Sequence, residues 1–193
     1  MAIDFVGFTA DCRIVGTIPL ADDRLSDMLN SVARVVIRDA EVEDVDLGPQ
    51  EGGQVMVPCG ELLVVGGTGR RGLESRRRRT EVRHVQIGLG RYTVTGSIHV
   101  LPRVDGVPAD DEPDALLVGR DLLVPITDAK VRYLRAGKPY LEQWETVLVN
   151  RARASWIKVL EDDYREEEPA EEELEEGPVK TRYVKDFTGT VAE

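Results

Sequence analysis

Between residues 12 and 20 the side chains alternate. Cys12, Ile14, Gly16, Ile18 and Leu20 hold one parity, and Arg13, Val15, Thr17 and Pro19 hold the other. Eighty positions on, Tyr92, Val94, Gly96, Ile98 and Val100 alternate with Thr93, Thr95, Ser97 and His99. A period of two marks a strand with one face on a core, so both stretches are expected to be half-buried strands. Gly16 and Gly96 fall on the inward parity at equal register, where a missing side chain predicts a sharp bend or a close backbone approach. A second pattern carries a shared defect. Val35 and Ile37 are followed one residue out of phase by Ala40 and Val42, and Val124 and Ile126 are followed in the same way by Ala129 and Val131. One extra residue at Arg38-Asp39 and at Thr127-Asp128 predicts a β-bulge. Asp suits it through a carboxylate that accepts local backbone N–H groups. The apolar runs Leu62 to Val65 and Thr146 to Val149 predict strands covered on both faces. Arg24 to Asn30 predicts one or two helical turns, with Asp114 to Leu117 at the same place later in the chain. Pro102 to Pro113, dense in Asp, Gly and Pro, predicts an exposed loop.

These patterns recur in order. Residues 12–20 match 92–100 at an offset of 80, Val35–Val42 match Val124–Val131 at 89, and Glu61–Val65 match Glu145–Val149 at 84. Internal duplication is the expectation. It gives a first unit over 1–69, an Arg-rich linker over 70–84, a second unit over 85–158 and an acidic tail over 159–193. Units of that size sit near the lower limit for burying enough surface alone, so they are expected to pack on each other or on another subunit. Aromatic residues make up only 5% of the chain, which leaves a core of Val, Ile and Leu and favours strands. The fold class expected is all-β: two tandem small SH3-like or Sm-like barrels with short helical insertions and a disordered acidic tail.

The succession of a V-x-G-x-I strand, a D-x-L-N segment (Asp27 to Asn30), a D-A-x-V strand and the E-L-L-V-V run of residues 61–65 resembles the Sm-like family. The segments Arg24-Leu-Ser-Asp-Met-Leu-Asn30 and Thr127-Asp-Ala-Lys-Val131 resemble more closely a group of bacterial domains without an assigned chemistry. The resemblance covers most of both halves and implies a fold but no activity. Where Sm-like proteins bind RNA they use an aromatic or His beside Asn and an R-G pair in the last hairpin. Met56–Gly60 and Leu141–Trp144 are expected in the corresponding turns here.

Charge changes the picture only once it is located. The chain carries −11, but residues 161–176 hold eleven acids against Arg165, so the remainder is close to neutral. So dense an acidic block repels itself and is expected to be disordered. Beyond it Val179 to Phe187 alternates again and is basic, which suits a peptide that adds to a sheet edge. The opposite charge sits between the halves. Arg70, Arg71, Arg76, Arg77, Arg78, Arg79 and Arg83, set against Glu74 and Glu81, give +5 over fourteen residues. Guanidinium groups grip phosphate and carboxylate in bidentate fashion, so these seven are the candidate binding residues, for nucleic acid, a partner protein or the chain's own acidic tail. No aromatic interleaves them to stack a single strand. Arg76–Arg79 before Thr80 also matches a basophilic kinase site.

Other chemistry is thin. Asp39 with Asp128 and Glu61 with Glu145 recur as carboxylate pairs, the arrangement acid–base catalysis uses. Recurrence in both halves argues instead for structural duty, and no enzyme activity is expected. Cys12, Cys59, His84 and His99 are the only soft ligands and lack metal-site spacing. The glycines at 66, 67 and 69 precede no Gly-Lys-Ser/Thr, so no phosphate loop and no cofactor is expected. Two cysteines are too few for a disulfide framework, and neither a leader at Met1 nor a membrane-spanning apolar run is read. The sequence therefore reads as a cytoplasmic, non-enzymatic scaffold that binds itself or a protein partner through sheet edges. Nucleic acid at the arginines is the alternative.

Overall fold

The computed structural model describes residues 2–20, 24–44, 48–67, 80–100 and 119–160. The strands are β1 (Ala2–Phe8), β2 (Cys12–Pro19), β3 (Arg34–Asp44), β4 (Gly48–Pro58) and β5 (Val64–Gly67), then β6 (Glu81–Leu89), β7 (Tyr92–Val100), β8 (Leu123–Arg135), β9 (Lys138–Asn150) and β10 (Trp156–Val159). One seven-residue helix, α1 (Leu25–Ser31), precedes β3, and single 3-10 turns at Cys59–Glu61 and Arg151–Arg153 precede β5 and β10. All ten strands join one sheet in the order β10-β6-β7-β8-β9-β5-β1-β2-β3-β4, and every pairing is antiparallel. The chain is all-β, with one short helix among the described residues. None of its described helices is long and apolar enough to cross a membrane.

Strands β1–β5 and β6–β10 trace the same path. β5 returns to β1 with Val64 opposite Phe8, and β10 returns to β6 with Trp156 opposite Gly88. The alternating parity of residues 12–20 and 92–100 does set the buried face: Ile14, Ile18, Leu20, Tyr92, Val94 and Ile98 are all buried. The slip in the next strand is a bulge opposite Gly16 in the β2–β3 ladder and opposite Gly96 in the β7–β8 ladder, where the register shifts between Val15 and Thr17 and between Thr95 and Ser97. At its centre Asp39 adopts φ 49°, and Asp128 adopts φ 51° at the matching place. The left-handed region is costly for most side chains, and Asp is among the few that visit it. The inward glycines are explained by the same bulge. A Cβ on Gly16 would lie 2.6 Å from the Arg38 carbonyl oxygen, and one on Gly96 would lie 2.7 Å from that of Thr127.

Two apolar clusters form the core, and each borrows from the other half. Leu123 and Leu148 pack in the cluster built on Phe5, Ile18, Leu29 and Ile37. Val6, Phe8, Leu63 and Val64 pack in the cluster built on Ile87, Tyr92, Val94 and Val149. The short helix fits this scheme through Leu25 and Leu29, its buried positions at a spacing of four.

Several expectations are corrected. Residues 61–65 and 145–149 are not counterparts: the first cross a 3-10 turn into β5, and the second lie within β9. They are neighbours instead, with Val64 opposite Val149 and Val65 opposite Leu148, which is why Leu62–Val65 and Val147–Val149 are buried, whereas Thr146, beyond the stretch paired with β5, is exposed. By register, Val147–Val149 correspond to Val55–Val57, at an offset of 92, because Ile126 pairs with Val147 as Ile37 pairs with Val55. The linker also ends earlier than residue 84, since Arg83 and His84 lie inside β6. Leu141 to Trp144 are in mid-strand, and the β8–β9 hairpin turns instead at Ala136-Gly137, both at positive φ as a type I′ two-residue turn requires. Met56 and Pro58 close a strand, with the 3-10 turn following. The segments 102–113, 114–117 and 161–193 lie outside the described residues.

Candidate functional site

Of the candidate arginines, Arg83 alone lies among the described residues, on β6, where its guanidinium meets Glu81 at 3.4 Å. Arg70, Arg71, Arg76, Arg77, Arg78 and Arg79 lie outside them. The recurring carboxylates do not converge. Asp39 and Asp128 occupy separate bulges, while Glu61 in a turn accepts from Arg153 at 2.6 Å and Glu145 lies in β9. The soft ligands are scattered as well. His84 meets Ser97 at 3.0 Å, His99 bridges Thr80 and Thr127, and Cys12 meets the Thr9 hydroxyl. Burial pushes the Cys59 thiol pKa up, which keeps it protonated and unreactive. Among the described residues no group of three or more His, Cys, Asp or Glu is placed to hold a metal ion.

What the fold does bring together is the seam between the halves, where β5 pairs with β9. Asn150, fully buried, donates its side-chain amide to the carbonyls of Leu62 (2.8 Å) and Gly60 (3.2 Å) and accepts from the Ala152 N–H (3.1 Å). Asn30, on α1, closes a two-way bridge to the start of β8. Its amide donates to the Leu123 carbonyl at 3.0 Å, and its oxygen accepts from the Leu123 N–H at 2.8 Å. At the other end Arg13 donates to Glu142 at 3.1 Å, Glu43 pairs with Arg135, and the Tyr133 hydroxyl donates to Glu142 at 2.7 Å. Burial first, and then Glu142, push the Tyr133 pKa upward, so its proton stays in that hydrogen bond. Phe8 lies edge-on to both Tyr92 and Tyr133 beneath this network. The seam thus has an apolar middle, polar ends and paired backbones, the anatomy of a protein–protein interface.

The two outermost strands show the same surfaces without that cover. β4 pairs only with β3 and β10 only with β6 among the described residues. Met56 is 56% exposed where its counterpart Leu148 is 5% exposed, and Trp156 is 46% exposed where its counterpart Val64 is fully buried. Sequence reasoning missed both. Val55-Met-Val57 against Val147-Leu-Val149 was a readable signal, whereas Trp156-Ile-Lys-Val159 shares too little with Val64-Val-Gly-Gly67 to be found by eye.

Comparison with family models, with curated proteins and with solved structures finds no match to this chain.

Proposed function

We propose that the chain is a non-enzymatic cytoplasmic scaffold, an internally duplicated pair of small barrel-like units that binds protein, itself included, through its sheet edges. The exposure of Met56 and Trp156 at positions that are buried where the same edges meet inside the chain carries this reading. A strand edge offers a row of backbone donors and acceptors, and proteins that expose apolar edges without a partner risk aggregation. A photo-crosslinking side chain placed at 56, at 156 and at the exposed hairpin position Leu134 tests it. Discrete adducts from 56 and 156 and none from 134 are expected. Equal labelling from all three sites, or none from any, overturns the reading.

A second reading, nucleic-acid binding, rests on the seven arginines between 70 and 83. A basic loop of that charge binds phosphate by releasing counterions, so affinity falls steeply with salt. Replacing Arg76, Arg77, Arg78 and Arg79 with Ala is expected to flatten that salt dependence if RNA is the ligand. A filter-binding titration at two salt concentrations measures it.

A further inference from the structure

The seam inside the chain is made from one edge of each kind: β9, the fourth strand of its half, lies against β5, the fifth strand of the other. Among the described residues the edges left over are β4, a fourth strand, and β10, a fifth. They are the same complementary pair. We infer that β4 of a second copy of this chain docks antiparallel on β10, repeating the seam between molecules. This rests on the edge-binding reading above and specifies its partner, its two surfaces and its register.

The register follows from the seam. There Val149 faces Val64, Leu148 faces Val65 and Val147 faces Gly66. Carried to the equivalent positions, Val57 of the second copy faces Trp156, Met56 faces Ile157 and Val55 faces Lys158. Apolar side chains then cover one another along the strand pair, apart from the Lys158 head group. Two reciprocal exchanges support the match. Inside the chain the ring of Trp144 fills the space over Gly66, 2.7 Å from where a Cβ would stand. Between copies the large and small partners change places, with Lys158 set against Gly53, which pairs with Ala40 as Trp144 pairs with Ala129. Likewise Arg153 meets Glu61 inside the chain. Between copies Glu61 takes the place of Arg153, and Arg153 that of Glu61, so the charges stay complementary beside the pair that each chain already makes within itself. The contacts of Asn150 are lost: it donates its backbone N–H to Leu63 and its side-chain amide to Leu62 and Gly60, whereas its counterpart Pro58 has no N–H and no amide to give.

Such a contact is heterologous, so each chain offers one surface of each kind and the assembly grows head to tail until it closes and no edge remains. Light scattering on the full chain tests this, with Met56→Asp to block β4 and Trp156→Asp to block β10. Lys158→Glu serves as a second block on β10, and thermal melts confirm that each variant folds. The expected result is a discrete multiple of the 21.4 kDa chain for the parent protein and a monomer for each variant. An equimolar mixture of Met56→Asp and Trp156→Asp should give a one-to-one dimer, since only one intact edge of each kind remains. If Trp156→Asp stays associated while Met56→Asp does not, the contact is β4 on β4. The head-to-tail inference is then overturned, while edge binding stands. A monomeric parent protein overturns the inference and leaves edge binding to the crosslinking result. An oligomer that survives every variant overturns both.

Discussion

Tyr92 pays for its place in the core with an unpartnered hydroxyl. Its ring is buried against Phe8, and among the described residues its oxygen finds no hydrogen-bond partner. A buried hydroxyl without a partner costs about 1–3 kcal/mol, so Tyr92→Phe is expected to stabilise the protein by roughly 1 kcal/mol in urea denaturation at neutral pH. Burial also pushes the Tyr92 pKa from its ordinary 10.0 up to about 12. The unfolded chain ionises first, so this contribution is whole below pH 10 and is lost as the pH rises toward 12. Stability measured across that window should therefore fall less steeply in Tyr92→Phe than in the parent. Residue roles of this kind were partly legible. The phase slip located Asp39 and Asp128, but the structure accounts for Asp there by positive φ, where the sequence suggested carboxylate hydrogen bonds. Tyr92 was legible as an inward residue, and its missing partner was not, because a partner is a matter of what lies opposite.

Among the elements, β5 carries the most for its length. Its four residues pair with β1 and three of them, Val64, Val65 and Gly66, also pair with β9. Gly66→Ala puts a methyl group into the Trp144 ring, which is partly buried against the second apolar cluster. Overpacking of this kind costs about 1–3 kcal/mol, and a matching drop in the urea midpoint with a shift in tryptophan emission is expected. Residues 62–65 announced a buried strand through their apolar run. They did not announce which strand they would meet, since that is fixed by pairing across eighty residues of chain.

For the whole molecule, the question is whether the halves are independent. They share both apolar clusters, a strand pairing, and the Asn30, Asn150 and Arg13–Glu142 bridges. They are expected to unfold together. Both tryptophans, Trp144 and Trp156, belong to the second half, so fluorescence follows that half while far-UV circular dichroism follows the strands of both. The two urea transitions should coincide, as a cooperative unit requires. A dichroism transition displaced from the fluorescence transition would show the seam to be weaker than the halves.

Local pattern alone was enough for the strand class, the inward faces, both bulges and the close approach at Gly16 and Gly96, because each depends on residues within a few positions of one another. Pairing across the chain decided the rest: that fourth strand meets fifth at the seam, that residues 61–65 and 145–149 are neighbours instead of counterparts, and that Met56 and Trp156 stand on the outermost of the described strands. Their physical reason is common to all three. A strand's periodicity says which face is buried, but its backbone donors and acceptors point sideways, and no side-chain pattern records which strand will take them.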